Sequence, residues 1–146
     1  MNQNMESTIK RYYHAWFETN KLYAQWARQH GITINTLMVM YMIRNTEDCT
    51  QQDICSMLML PKQTVNSILN DLERQGHVSR QTGGIDRRQK ILTFTREGRQ
   101  YAEAILTALY RAEAKAFRAM STEQINGLID NSHIYLRHFR ETTTQP

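Results

Sequence analysis

The apolar residues of this chain fall into blocks of different period, and each period assigns an element. From residue 5 to residue 29 they recur at helical steps, until Gly31 supplies a stop signal. Thr33 can cap a second helix running to about Asn45. Its stretch Leu37 to Ile43 is apolar on every side, the pattern of a helix at the centre of a core. Thr50-Gln51-Gln52-Asp53 reads as a capping box with Asp53 in place of the usual Glu or Gln, and it starts a short helix to about Leu58. Pro61 is expected in the first position of a fourth helix, where its missing N–H is no loss, and Gly76 closes that helix. Within it Val65, Ile68, Leu69 and Leu72 step by three and four, a buried stripe.

The face opposite that stripe carries Gln63, Ser67, Asn70 and Arg74, flanked by Lys62 and Asn66. An ordinary solvent face is filled mostly with Glu and Lys. Gln, Asn and Ser are poorer helix formers whose side chains can read base edges. Two helices joined by a two- or three-residue turn, the second so patterned, match a helix-turn-helix. The period then changes to two: His77 to Thr82 and Lys90 to Phe94 read as strands joined by a turn holding Gly83 and Gly84. Helix is predicted again from Thr95 to about Arg118, with Tyr101, Ile105, Ala108, Ala112 and Ala116 on one line. Ser121-Thr122-Glu123-Gln124 caps a last helix whose Ile125, Leu128, Ile129, Ser132, Tyr135, Leu136 and Phe139 recur at helical steps. The predicted fold is therefore mainly α with a small β-hairpin wing. A winged helix-turn-helix core spans residues 33–95, and helices at 5–30 and 96–144 carry apolar faces that a twofold homodimer would cover.

Composition sharpens this picture at one point. The formal net charge is +4 over 146 residues, a modest excess. Residues 60 to 100 hold eight Lys and Arg against four Asp and Glu, while the remainder balances at ten against ten. The whole excess sits around the fourth helix and the hairpin, where it can form a footprint for a polyanion or simply a solvated face. Arg87, Arg88 and Lys90 directly follow the hairpin glycines, at the place where a wing meets phosphates or the minor groove of double-stranded DNA. Asp86 can hold the Arg88 guanidinium by an ion pair. The recognition residues read from the pattern are then Lys62, Gln63, Thr64, Asn66, Ser67, Asn70 and Arg74, with Arg87, Arg88 and Lys90 on the wing.

Other chemistries find little footing. Cys49 and Cys55 lack CxxC spacing, and no two histidines stand at i, i+4, so no metal or cofactor is indicated. No nucleophile elbow, phosphate loop or HExxH occurs, and an enzyme is not expected. The sequence holds neither a signal-peptide h-region nor a bilayer-length apolar run, and the protein is expected to be cytoplasmic, away from membranes.

The chain resembles the MarR family of bacterial transcription regulators. The likeness rests on Asp86-Arg87-Arg88 followed by a strand and Thr95-Arg96-Glu97-Gly98, and on "QTVNSILNDLERQGHVSR" with its ending Leu72, Gly76, Val78 and Arg80. It implies a homodimeric regulator, a repressor or an activator, that binds a short palindrome with recognition helices in successive major grooves and wings in the flanking minor grooves. Release by a small aromatic or hydrophobic effector is implied too. Six of the thirteen aromatics lie in the first helix, opposite a methionine-rich second one. Tyr12, Tyr13, Trp16, Met38, Tyr41, Met42 and Tyr101 are the candidate lining of such a pocket, although the same spacing suits plain core. Zinc sensing is not matched, and the first helix lacks the cysteine of oxidant-sensing members. The alternative function is a winged-helix protein-interaction module without ligand response.

Overall fold

The computed structural model describes residues 3–83 and 89–143. Its elements run α1 (Gln3–Gln29), α2 (Ile34–Asn45), α3 (Gln51–Leu58), α4 (Lys62–Arg74), β1 (Val78–Thr82), β2 (Lys90–Phe94), α5 (Arg96–Arg118) and α6 (Thr122–Thr143). The chain divides into two compact units, residues 1–106 and 107–146, so the division falls inside α5.

In the first unit the local signals act as the residues suggest. Gly31 adopts a left-handed φ of 74° after α1. The Thr33 side chain accepts from the backbone N–H of Thr36 at the start of α2. At α3 the capping box is complete: the N–H of Asp53 donates to Thr50 Oγ1, and the N–H of Thr50 donates to Asp53 Oδ2 at 2.8 Å. Pro61 departs from expectation. It is the N-cap of α4, with an extended ψ of 142°, and the helix begins at Lys62. Its carbonyl accepts the first helical bond from Val65 at 3.1 Å, a task that needs no N–H from the proline.

The core of this unit gathers Leu37, Val39 and Met40 of α2, Ile54 of α3, Val65, Leu69 and Leu72 of α4, Val78 and Leu92 of the hairpin, and Ala102, Ile105 and Leu106 of α5. Each large side chain so buried is worth about 1.5–3 kcal/mol against exposure. The apolar run of α2 is not buried all round: Tyr41 is 50% exposed and Met38 half-buried, because α2 has one outer side.

The strands pair antiparallel, Val78 with Phe94 through Thr82 with Lys90. His77, expected in the first strand, precedes it and stacks on Tyr101 at a ring separation of 4.2 Å. On the other side of β2 the segment before α3 adds a bridge, Thr50 to Ile91, and the N–H of Leu92 donates to Cys49 O at 2.8 Å. Thr95 joins the hairpin root to α5. Its hydroxyl donates to Gly76 O at 2.6 Å and accepts from the N–H of Gly98 at 2.9 Å, while its own N–H donates to His77 O at 3.0 Å.

In the second unit the Ser121 box forms, with the N–H of Gln124 donating to Ser121 Oγ and the N–H of Ser121 donating to Gln124 Oε1. None of the described residues of α6 is buried. Phe139, 54% exposed, stacks on Tyr135 at 5.7 Å, and Leu128 and Leu136 also stand in solvent. No helix among the described residues is long and apolar enough to cross a membrane.

Candidate nucleic-acid interface

The α3 and α4 pair is fixed by more than the turn between them. Gln51 Nε2 donates to the carbonyl of Lys62 at 3.2 Å, pinning the start of α3 to the start of α4. Buried Val65, Leu69 and Leu72 turn the other side of α4 outward, so Lys62, Gln63, Ser67, Asn70 and Arg74 are exposed and Thr64 and Asn66 half-buried. The expected polar strip is thus one continuous surface. Arg74 is engaged within its own helix, paired with Asp71.

Beside this strip lies a cleft of about 540 Å³ between α3, the start of α4 and the hairpin, lined by Gln51, Gln52, Cys55, Lys62, Arg80 and Lys90 among others. Among the described residues three cations and no carboxylate line it, a distribution that favours a polyanion. Lys90, at the loop end of the paired strands, and Lys62, at the head of α4, line the same cleft. Arg87 and Arg88 lie outside the described residues.

Arg80, absent from the recognition residues that the pattern suggests, makes the most contacts to the outer side of α4 among the described residues. It projects from β1 towards α4, where Nη1 donates to Asn66 Oδ1 at 3.3 Å and Nη2 to Asn70 Oδ1 at 2.7 Å. Its Nε stands 3.0 Å from Glu73 Oε2, an ion pair in which the N–H is not aimed at the oxygen. The side chain is 23% exposed. A signal existed: with period two, Arg80 shares the inward phase of Val78, and an inward arginine requires acceptors across from it.

Cys49 and Cys55 differ in setting. Burial pushes the Cys49 thiol up to about 11, with the Asp53 carboxylate adding to the rise, so it is a core group and no nucleophile. Cys55 is half-buried in the cleft wall. No cluster of metal-ligating side chains occurs among the described residues.

The seven residues considered for an effector pocket do not share one setting. Tyr12, Tyr13 and Trp16 form an exposed aromatic ladder on α1 together with Phe17, with Trp16 52% exposed. Met42 is buried in the core, Tyr41 is exposed and Met38 is half-buried. Tyr101 lines a groove of about 440 Å³ with Arg28, Ile32, Thr36, Ile68 and Asp71, which none of the other six joins.

A family model described as MarR family matches residues 30–89, from the end of α1 to the start of β2. The chain is 25% identical over 126 residues to the HTH-type transcriptional regulator SarZ of Staphylococcus haemolyticus, covering 86% of this chain and 85% of that protein. Among solved structures it is similar to S. aureus MepR in a DNA complex, at 24% identity and a TM-score of 0.72, over 87% of this chain and 97% of that one. It is likewise similar to Staphylococcus aureus MarR in complex with salicylate and kanamycin, at 16% identity and a TM-score of 0.75, over 96% and 95% of the two chains. The family model seated on the winged helix, and relatives that share the fold along most of its length, make this chain similar to the MarR family of transcriptional regulators.

Proposed function

We propose that the protein is a cytoplasmic homodimeric repressor that binds a palindromic DNA operator and is released by a small aromatic or hydrophobic ligand. The observation that carries the DNA reading is the outward polar strip of α4 beside a cleft that, among the described residues, has three cations and no carboxylate. In this reading Lys62 and Lys90 meet phosphates, Gln63, Thr64, Asn66, Ser67 and Asn70 face base edges, Arg74 adds positive charge along the groove wall, and Arg87 and Arg88 reach the flanking minor groove. MepR, similar in fold, is seen with DNA.

Dimerisation is supported by apolar surface that a lone chain leaves in water. The aromatic ladder of α1 and the Leu128, Tyr135, Leu136 and Phe139 face of α6 are both exposed. A second copy would bury them. It would also supply walls around Tyr12, Tyr13 and Trp16, turning an open ladder into a site for a planar ligand; a similar fold is seen with salicylate.

The test is sedimentation of the free protein combined with mobility-shift titration of genomic duplexes across salt concentrations. A dimer that binds a palindrome with a steep inverse salt dependence is expected, and Arg88→Ala should lower the salt slope by about one. A monomer indifferent to DNA at every salt concentration refutes the reading. For the effector, Trp16 fluorescence titrated with phenolic acids, hydrophobic drugs and haem should change together with operator affinity.

A further inference from the structure

An arginine that holds two neighbouring amides of a recognition helix also decides which way those amides face. A guanidinium has only donors, so the atoms that Asn66 and Asn70 turn towards Arg80 must be their oxygens, and the distances of 3.3 and 2.7 Å are those of Nη–H···Oδ1 bonds. The two residues stand one helical turn apart on the outer side of α4, so a single fork spans both. Among the described residues neither Nδ2 has a partner. Each amide therefore keeps its oxygen on the Arg80 side and its NH2 free to donate.

We infer that Arg80 is a positioning residue for base reading: by holding Oδ1 of Asn66 and Asn70, it makes this stretch of α4 a donor surface that selects keto edges, guanine O6 or thymine O4, over adenine. An asparagine that pairs with adenine must bring Oδ1 and Nδ2 to the base edge together. Oδ1 keeps a second lone pair, so adenine is accepted only if that lone pair and Nδ2 reach the base edge together, and the hold of Arg80 on Oδ1 restricts the amide rotation that would bring them there. Glu73, 3.0 Å from Nε, keeps the guanidinium in place without using either amide. Arg80 itself touches no base in this scheme, which rests on the reading of α4 as the helix that enters the major groove.

Selection of bound duplexes from a randomised pool, with wild type and variants side by side, tests it. Asn66→Ala and Asn70→Ala locate the base pairs those residues read, by the preferences they erase. Wild type should carry guanine or thymine at those positions by about tenfold over adenine. Arg80→Met, which keeps the stem and removes the donors, should move the same positions towards adenine. A merely structural arginine would instead weaken every duplex alike. Should Arg80→Met fail to fold, Asn66→Asp and Asn70→Asp decide: each keeps an acceptor for Arg80 but has no NH2, so the fold should hold while the keto preference falls about tenfold. Adenine at those positions in wild type, keto preferences that survive either the Arg80→Met or the Asp substitutions, or alanine variants that erase nothing, overturn the inference. If wild type selects no sequence at all, the DNA reading itself fails, and the inference fails with it.

Discussion

Adding a single methyl group at Gly98 should cost this protein about as much as a core truncation that removes several. Gly98 is buried in the first turn of α5, and a Cβ built there overlaps the carbonyl oxygen of His77 and lies 2.6 Å from its Cα. Both are backbone atoms, so relief requires the Gly76–His77 turn and α5 to separate. Overpacking of this kind costs about 1–3 kcal/mol. The separation also strains the bonds from Thr95 to Gly76 O and His77 O, each worth about 1 kcal/mol. Alanine returns about 1 kcal/mol of helix propensity, which leaves Gly98→Ala less stable by about 2–4 kcal/mol. In a chain of this size that is a fall in Tm of about 5–10 °C. Urea unfolding followed by circular dichroism measures it, with an unchanged m-value showing that the denatured state is not the cause. Gly127 in α6 is the control, since a Cβ there meets only the Asn131 side chain at 3.7 Å and Gly127→Ala should stabilise by up to about 1 kcal/mol. A Gly98→Ala variant as stable as wild type would refute the close-approach argument.

Three further outcomes follow from single residues. Met59 caps α3 with a left-handed φ of 52° although it is 85% exposed, so Met59→Gly should remove about 1–2 kcal/mol of strain, return part of it as chain entropy, and raise Tm by about 2 °C; a lower Tm would contradict this. Cys49, raised from 9.0 to about 11 in the folded protein, should resist iodoacetamide at neutral pH. Because the folded state holds its proton more tightly, the Cys49 contribution to stability is complete below pH 9 and is lost between pH 9 and 11, and Cys49→Ala should lack that component. Lys62→Ala should weaken binding to all duplexes alike and flatten the salt dependence by about one phosphate, whereas an unchanged slope would take Lys62 off the DNA.

What the sequence made legible divides by range. Caps and stops were readable because Thr33, the Thr50 and Ser121 boxes, and Gly31 act within four residues of themselves. The strand β2 was readable to the residue, as its period is local too. Pro61 was misplaced by one position, since a proline serves equally at the N-cap when its carbonyl is what the helix needs. The period of β1 turned Arg80 inward, but its partners Asn66 and Asn70, like the Thr50 to Ile91 bridge, were not readable: these contacts join residues 14, 10 and 41 positions apart, where no local period reaches. The apolar faces that periodicity draws on α1 and α6, surplus to the core of so short a chain, stand exposed in a single copy.

The bridge from Thr50 to Ile91 bears on the thermodynamics of association. With Cys49 and Thr50 bonded along β2, and the Asp53 cap directly behind them, the strand that leads out of the wing is ordered before any ligand arrives. Fixing a backbone residue costs about 1–2 kcal/mol in entropy, and for β2 that cost is met during folding. A free hairpin arm would have to meet it on contact with the duplex, at the expense of affinity. Loosening this tie should therefore show up calorimetrically as a larger entropic penalty of binding, even where the residues that touch the duplex remain the same.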